Sequence, residues 1–299
     1  MRPAGRIFSQ YLAACRGGCL APLAPAPCLL SGHAHPCSSQ PPPSAPTQRR
    51  TLLAGIAQSL MAAPAPINPF AMVKSELGCV SARIRAAVTT EIPALHQAAT
   101  YFFQSGAEGK RIRPTICLLV SSALSPSPSP ADHFTTVDTR PVSAVPLETR
   151  RRQQRVAEIA ELIHVASLLH DDVIDGADTR RGRTALNHVL GNKVAILAGD
   201  FLLARASMTL ASLKDSEVVT LMSQILEDLI SGEILQATAA TAALTSMEHY
   251  LRKTYLKTAS LMANACEAAA VVSDAGDGAR RAAHEFGKNL GLAFQVRFR

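Results

Sequence analysis

The sequence predicts an all-α fold, on three observations. Beyond about residue 70, Ala, Leu, Ile and Val recur at three- and four-residue spacing, which places apolar side chains on one helical face. Alternation with a period of two, the mark of a strand, is scarce over the same stretch. A hydrophobic share of 47% in 299 residues is ample for a packed core.

Charge is unevenly placed. Residues 1–75 carry Arg2, Arg6, Arg16, Arg49, Arg50 and Lys74 with no Asp or Glu, so six of the formal +7 charges sit there. The remainder is nearly balanced, and nucleic acid is not an expected partner. An Arg-, Ser-, Ala- and Pro-rich, acid-free segment has the character of an organellar transit peptide, so residues 1–70 are expected to be a disordered leader to the mitochondrion, with the plastid as the alternative. Its prolines and Arg16 interrupt any secretory apolar run, and no stretch there approaches the ~20 residues needed to span a bilayer. No transmembrane segment is expected, although peripheral contact with a membrane remains compatible. Four of the seven cysteines lie in this leader, leaving Cys79, Cys117 and Cys266, which form neither a metal pattern nor a disulfide framework.

The body of the fold, residues 71–299, opens with helical pattern and then Gly109-Lys110-Arg111-Ile112-Arg113-Pro114, a loop turning into a helix. Pro114 suits a first helical turn, and cations beside free helix N–H groups suit an anion such as a diphosphate. A Ser/Pro-rich stretch at about 125–154 reads as a disordered insertion, with Arg150-Arg151-Arg152 as a solvated flank. Val156, Ile159, Ile163, Ala166 and Leu169 then form one apolar stripe. Further helices are predicted over 192–213, 217–238, 247–272 and 277–296.

The stripe runs into Leu168-Leu169-His170-Asp171-Asp172-Val173-Ile174-Asp175. Asp171 and Asp175 are i,i+4 neighbours on one helical face and can reach the same hard cation. Magnesium fits, because it takes oxygen ligands and is shared between carboxylates and phosphates. An EF-hand calcium loop does not fit, since its third ligand position would be Ile174 or Val173. Taken alone, each of these signals has a plain alternative: a solvated acidic helix face, a basic surface turn, a core histidine.

In order, Gly109 to Pro114, the Asp171–Asp175 string, Arg180-Arg181-Gly182, Gly199-Asp200-Phe201-Leu202 and Lys257-Thr258-Ala259 resemble the trans-isoprenyl diphosphate synthase family, most of all its long-chain polyprenyl members that make the ubiquinone side chain. The resemblance covers about residues 72–124 and 155–296. It implies an isoprenoid-synthase-type helical bundle that condenses isopentenyl diphosphate with an allylic diphosphate such as farnesyl or geranylgeranyl diphosphate, as a homodimer or heteromer. Site residues carry over by motif: Asp171 and Asp175, with Asp172 assisting, would bind Mg2+, and Arg180 would touch the allylic diphosphate. Lys110, Arg113, His164 and Arg181 match the isopentenyl diphosphate site, and Lys257, Thr258 and Gln295 match the lining of the allylic diphosphate. Ala166 and Ser167, about one turn before Asp171, match the positions that limit product length, and their small side chains imply an open tunnel and a long product.

In the family a second aspartate-rich motif follows the Phe-Gln that is here Phe294-Gln295, whereas this sequence continues Val296-Arg297-Phe298-Arg299. A C-terminally incomplete bundle, inactive in elongation on its own, is the expectation. The rivals are a non-catalytic subunit of a heteromeric synthase and a class I terpene cyclase, the second disfavoured by the cations at Gly109–Pro114.

Overall fold

The computed structural model describes residues 68–104, 109–124, 146–240 and 246–297. The predicted leader up to residue 67, and residues 125–145 of the predicted insertion, lie outside them. Helices α1 (Pro69–Met72), α2 (Lys74–Ala87), α3 (Pro93–Thr100), α4 (Ile112–Leu124) and α5 (Leu147–Ile174) come first. A two-stranded antiparallel hairpin, β1 (Thr179–Arg180) and β2 (Arg183–Thr184), precedes α6 (Leu186–Leu190), α7 (Asn192–Ser212) and α8 (Ser216–Ala237). Helix α9 (Met247–Thr254), a π-helical turn (Tyr255–Ala259), α10 (Ser260–Val271) and α11 (Asp277–Arg297) follow. The all-α expectation holds among the described residues.

Helix α5 is the axis. Val156, Ala157, Ile159, Ala160 and Ala166 have no exposed surface, because α4 and α7 flank the helix and α2 and α10 also pack on it. Small side chains on α7, namely Ala195, Ala198, Gly199 and Ala206, allow the close approach to α5. Helix α7 is the one described helix long and apolar enough, by length and composition, to cross a membrane, with a mean hydropathy of 1.5. Its Lys193, Asp200 and Arg205, together with that packing on α5, mark it as a bundle helix. Helices α10 and α11 meet backbone to backbone. A Cβ at Gly287 would lie 2.4 Å from the Met262 carbonyl oxygen, and one at Gly291 would lie 2.6 Å from Ala259 Cα.

Three expectations need correction. The insertion does not extend to residue 154, since α5 already begins at Leu147. Nor is the arginine run simply solvated. Arg150 is 6% exposed; its Nε donates to Glu76 at 2.9 Å, and its other nitrogens donate to Gln153 at 2.8 Å and Ser122 at 3.0 Å. Arg152 pairs with Asp215 at 2.7 Å, and Arg151 alone keeps a mostly exposed side chain. The charge run reads as solvent-facing because sequence spacing does not reveal that α2 and α4 bring Glu76 and Ser122 onto the buried face of α5. The predicted helix 247–272 is also not uniform, since the π-turn interrupts it at Tyr255–Ala259.

Candidate active site

The C-terminus of α5 is closed by a Schellman motif. Ala177 N–H donates to the Asp172 carbonyl at 2.9 Å and Gly176 N–H to the Val173 carbonyl at 3.4 Å. Gly176 takes the left-handed conformation this needs, at φ 61°. Asp171 therefore lies inside the last turn, half-buried, while Asp175 caps it, exposed. Burial, reinforced by Glu233 and Asp175, pushes the Asp171 carboxyl up to about 6, although Lys257 and Arg180 favour its charge. A carboxyl whose charge is disfavoured by burial and by a neighbouring carboxylate suits a cation shared with that neighbour, whose charge removes the penalty. Among the described residues no three His, Cys, Asp or Glu side chains gather into a complete metal cage. Two carboxylate ligands supplemented by phosphates and water are nevertheless the usual magnesium arrangement.

Asp172 does not join them. It is 1% exposed, faces away from Asp171, and accepts from Arg180 Nε at 2.8 Å. Helical spacing explains the correction: adjacent residues point about 100° apart, so only Asp171 and Asp175 share a face. The role supported for Asp172 is to hold Arg180. The chain then reverses through Arg181-Gly182, both with positive φ at 53° and 75°, as a two-residue type I′ hairpin loop requires. Tyr101 O–H braces the hairpin by donating to the Thr184 carbonyl at 2.7 Å.

That hairpin sets Arg181 between Phe102, whose ring centroid is 5.9 Å from the guanidinium carbon, and Gly109, where a Cβ would lie 2.9 Å from the same carbon. On α4, Arg113 Nη1 lies 3.0 Å from His164 Nε2. Burial lowers the His164 pKa well below its ordinary value, with Arg113, Arg181 and Arg180 adding to the effect. The imidazole is thus neutral, and the arginine contact assigns Nε2 as acceptor and the proton to Nδ1. Arg113 Nε is a buried donor with no hydrogen-bond partner among the described residues. Lys110 is exposed in the preceding turn and makes no hydrogen bond among the described residues.

The remaining residues gather around the π-turn, an element frequently found at functional sites. Lys257 pairs with Glu233 of α8, and its Nζ is 3.4 Å from Gln236 Oε1. Gln295 Nε2 on α11 donates to Thr258 Oγ1 at 3.1 Å. Lys257, Thr258 and Gln295, expected from motif alone, are therefore brought together, with Asp171 near enough to feel Lys257. Of the two positions expected to limit product length, Ala166 has no exposed surface, whereas Ser167 is half-buried and donates to the His164 carbonyl at 2.9 Å.

Three residues were not found from the sequence. Glu161 is buried at 6% exposure, and burial raises its pKa against the pull of Arg113, Arg181 and Arg111. It is the counter-charge of the cationic cluster, and its signal was an acid within the apolar stripe one turn before His164. Glu233 and Gln236 carried no such signal, being ordinary polar positions on an amphipathic helix.

The arrangement has two poles, one of carboxylates with Lys257 and one of arginines with His164, and Arg180 acts electrostatically on Asp171 and on His164 alike. A family model described as polyprenyl synthetase matches residues 92–297. The chain belongs to the polyprenyl synthetase family. Solanesyl-diphosphate synthase 1, mitochondrial, of Oryza sativa subsp. japonica is 50% identical over 229 residues, covering 77% of this chain and 52% of that protein. Solanesyl diphosphate synthase 3, chloroplastic/mitochondrial, of Arabidopsis thaliana is 48% identical over 230 residues, covering 77% and 53%. The chain thus spans about half the length of these two polyprenyl synthetase relatives. A polyprenyl synthase from Caulobacter crescentus CB15, solved in complex with calcium and isoprenyl diphosphate, is similar at TM-score 0.64 and 28% identity, covering 76% of this chain and 62% of that one. The helical bundle is therefore the polyprenyl synthetase fold.

Proposed function

We propose that the chain serves magnesium-dependent head-to-tail prenyl transfer, joining isopentenyl diphosphate to an allylic diphosphate and making a long polyprenyl diphosphate of the kind used for the ubiquinone side chain. The observation that carries this is the pair of poles, carboxylates at Asp171/Asp175 and cations at Arg113/Arg181 beside His164 with Glu161 as their single buried counter-charge, with Arg180 acting on both. One diphosphate bound through metal and one bound by protein cations alone are the two anions such an arrangement suits.

Asp171 and Asp175 would hold the metal, which would supply neutralisation of the charge on the leaving diphosphate. Lys257, Thr258, Gln295 and Arg180 bind that same allylic diphosphate. Arg113 and Arg181 bind the isopentenyl diphosphate, and neutral His164 orients Arg113. Preorganised cations aimed at the leaving group supply most of the rate enhancement. The mitochondrial and dual-located relatives support action in the mitochondrion, with the plastid as the alternative destination.

The direct test is incorporation of radiolabelled isopentenyl diphosphate into chains primed by farnesyl diphosphate with magnesium. Absence of incorporation, together with absence of binding of either diphosphate, would overturn the proposal. Arg113→Ala should chiefly raise the KM for isopentenyl diphosphate by tenfold or more, since a charge-assisted contact contributes about 1.5–3 kcal/mol. Steady-state kinetics in which only the allylic KM moves would refute the assignment of that pole. In a chain extended to the length of its relatives, Ser167→Phe should shorten the product, because a ring one turn before Asp171 fills space the growing chain needs. Chromatography returning the parent distribution would remove Ser167 from control of length.

A further inference from the structure

Beside the carboxylate pole, Lys257 forms an ion pair with Glu233 that the proposed chemistry does not use. Both side chains are mostly buried, at 20% and 22% exposure, so this pair is far less screened than a surface ion pair. Gly232, next to Glu233, presses α8 onto the π-turn: a Cβ there would lie 2.7 Å from Lys257 Cγ and 3.1 Å from Lys257 N. The lysine stem is therefore clamped against Gly232, and its ammonium is turned towards Glu233, with Gln236 Oε1 at 3.4 Å. An ammonium has three donors and no acceptor, and one carboxylate and one amide already engage it.

We infer that Glu233 is a resident counter-anion for Lys257, holding the ammonium in place while no diphosphate is bound and yielding it to an incoming diphosphate. This rests on the reading of Lys257 as an allylic-diphosphate contact. A diphosphate carries more charge and more acceptor oxygens than a carboxylate, so it wins the exchange. It does so at reduced affinity, because the existing pair must open first. The four-carbon stem of lysine permits this swing, which a rigid guanidinium in the same place would not. Glu233 is thus a positioning residue that sets how tightly the diphosphate is held, without itself touching it.

The test is calorimetric binding of inorganic pyrophosphate, with magnesium, to the full chain. Glu233→Gln keeps shape and hydrogen bonding but removes the charge, and is expected to tighten binding about tenfold, a coupling typical of groups in direct contact. In a Lys257→Met background the same substitution should change Kd less than about twofold, because the exchange no longer exists. Glu233→Asp, which keeps the charge on a shorter stem, provides a second variant with an intermediate Kd expected. Weaker binding by Glu233→Gln overturns the inference, as does an equal gain in the Lys257→Met background, which would mark a general effect of removing negative charge. Failure of the unsubstituted chain to bind pyrophosphate at all would instead overturn the diphosphate-site reading on which the inference stands.

Discussion

In a chain extended to the length of its solanesyl-diphosphate synthase relatives, Asp171→Ala should lower kcat for prenyl transfer by about a thousandfold or more, the scale of several kcal/mol of lost charge stabilisation at the leaving group. The substitution takes away the half-buried member of the Asp171/Asp175 pair, the one whose carboxyl is pushed up to about 6 by burial and by Glu233. Asp175 remains, but an exposed cap residue has greater freedom and cannot fix a cation alone. The loss should fall on kcat more than on the isopentenyl KM, because the arginine pole is untouched. Near-normal turnover by Asp171→Ala at saturating magnesium would sink the metal assignment. The raised carboxyl also gives a direction with pH: below about 6 a proton occupies Asp171 and competes with the cation, so the apparent affinity for magnesium should fall on acidification.

Arg150→Ala should destabilise the fold by about 3–5 kcal/mol, the cost of leaving a buried partner charge uncompensated. Arg150 joins three elements at once: Glu76 from α2, Ser122 at the end of α4, and Gln153 on its own helix. Gln153 in turn donates to Ser273 Oγ at 2.8 Å, carrying the network to the chain just after α10. A denaturation midpoint displaced by the equivalent of less than about 1 kcal/mol would match a solvated side chain and would contradict the buried network.

The sequence made the helices legible because packing followed apolar periodicity closely: 192–213 became Asn192–Ser212 and 217–238 became Ser216–Ala237. It failed where the decisive partner came from a distant segment. Nothing local to Arg150 announces Glu76, 74 residues earlier, and nothing local to Lys257 announces Glu233. The residues proposed to bind diphosphate are legible as motifs, yet their division of labour is not. Asp171, Asp172 and Asp175 look alike in sequence, and only the helical rotation separates the two carboxylates that share a face from the one that holds Arg180. Ala166 shows the same limit: a small residue one turn before Asp171 can face a tunnel or fill a core, and here it fills the core.

The π-turn at Tyr255–Ala259 sets a conflict between durability and chemistry. An inserted residue in a helix widens one turn and advances everything after it by about 100°, so Lys257 and Thr258 face α8 and α11 only while that insertion is kept. Deleting one residue there would restore regular helical hydrogen bonding and would look like an improvement to any scheme that rewards local regularity. It would also put the Ala259 contact with Gly291, and the Thr258 hydroxyl that Gln295 reaches, out of phase with α11. Variants selected for heat resistance alone should therefore drift towards repairing this turn and lose the site as they do.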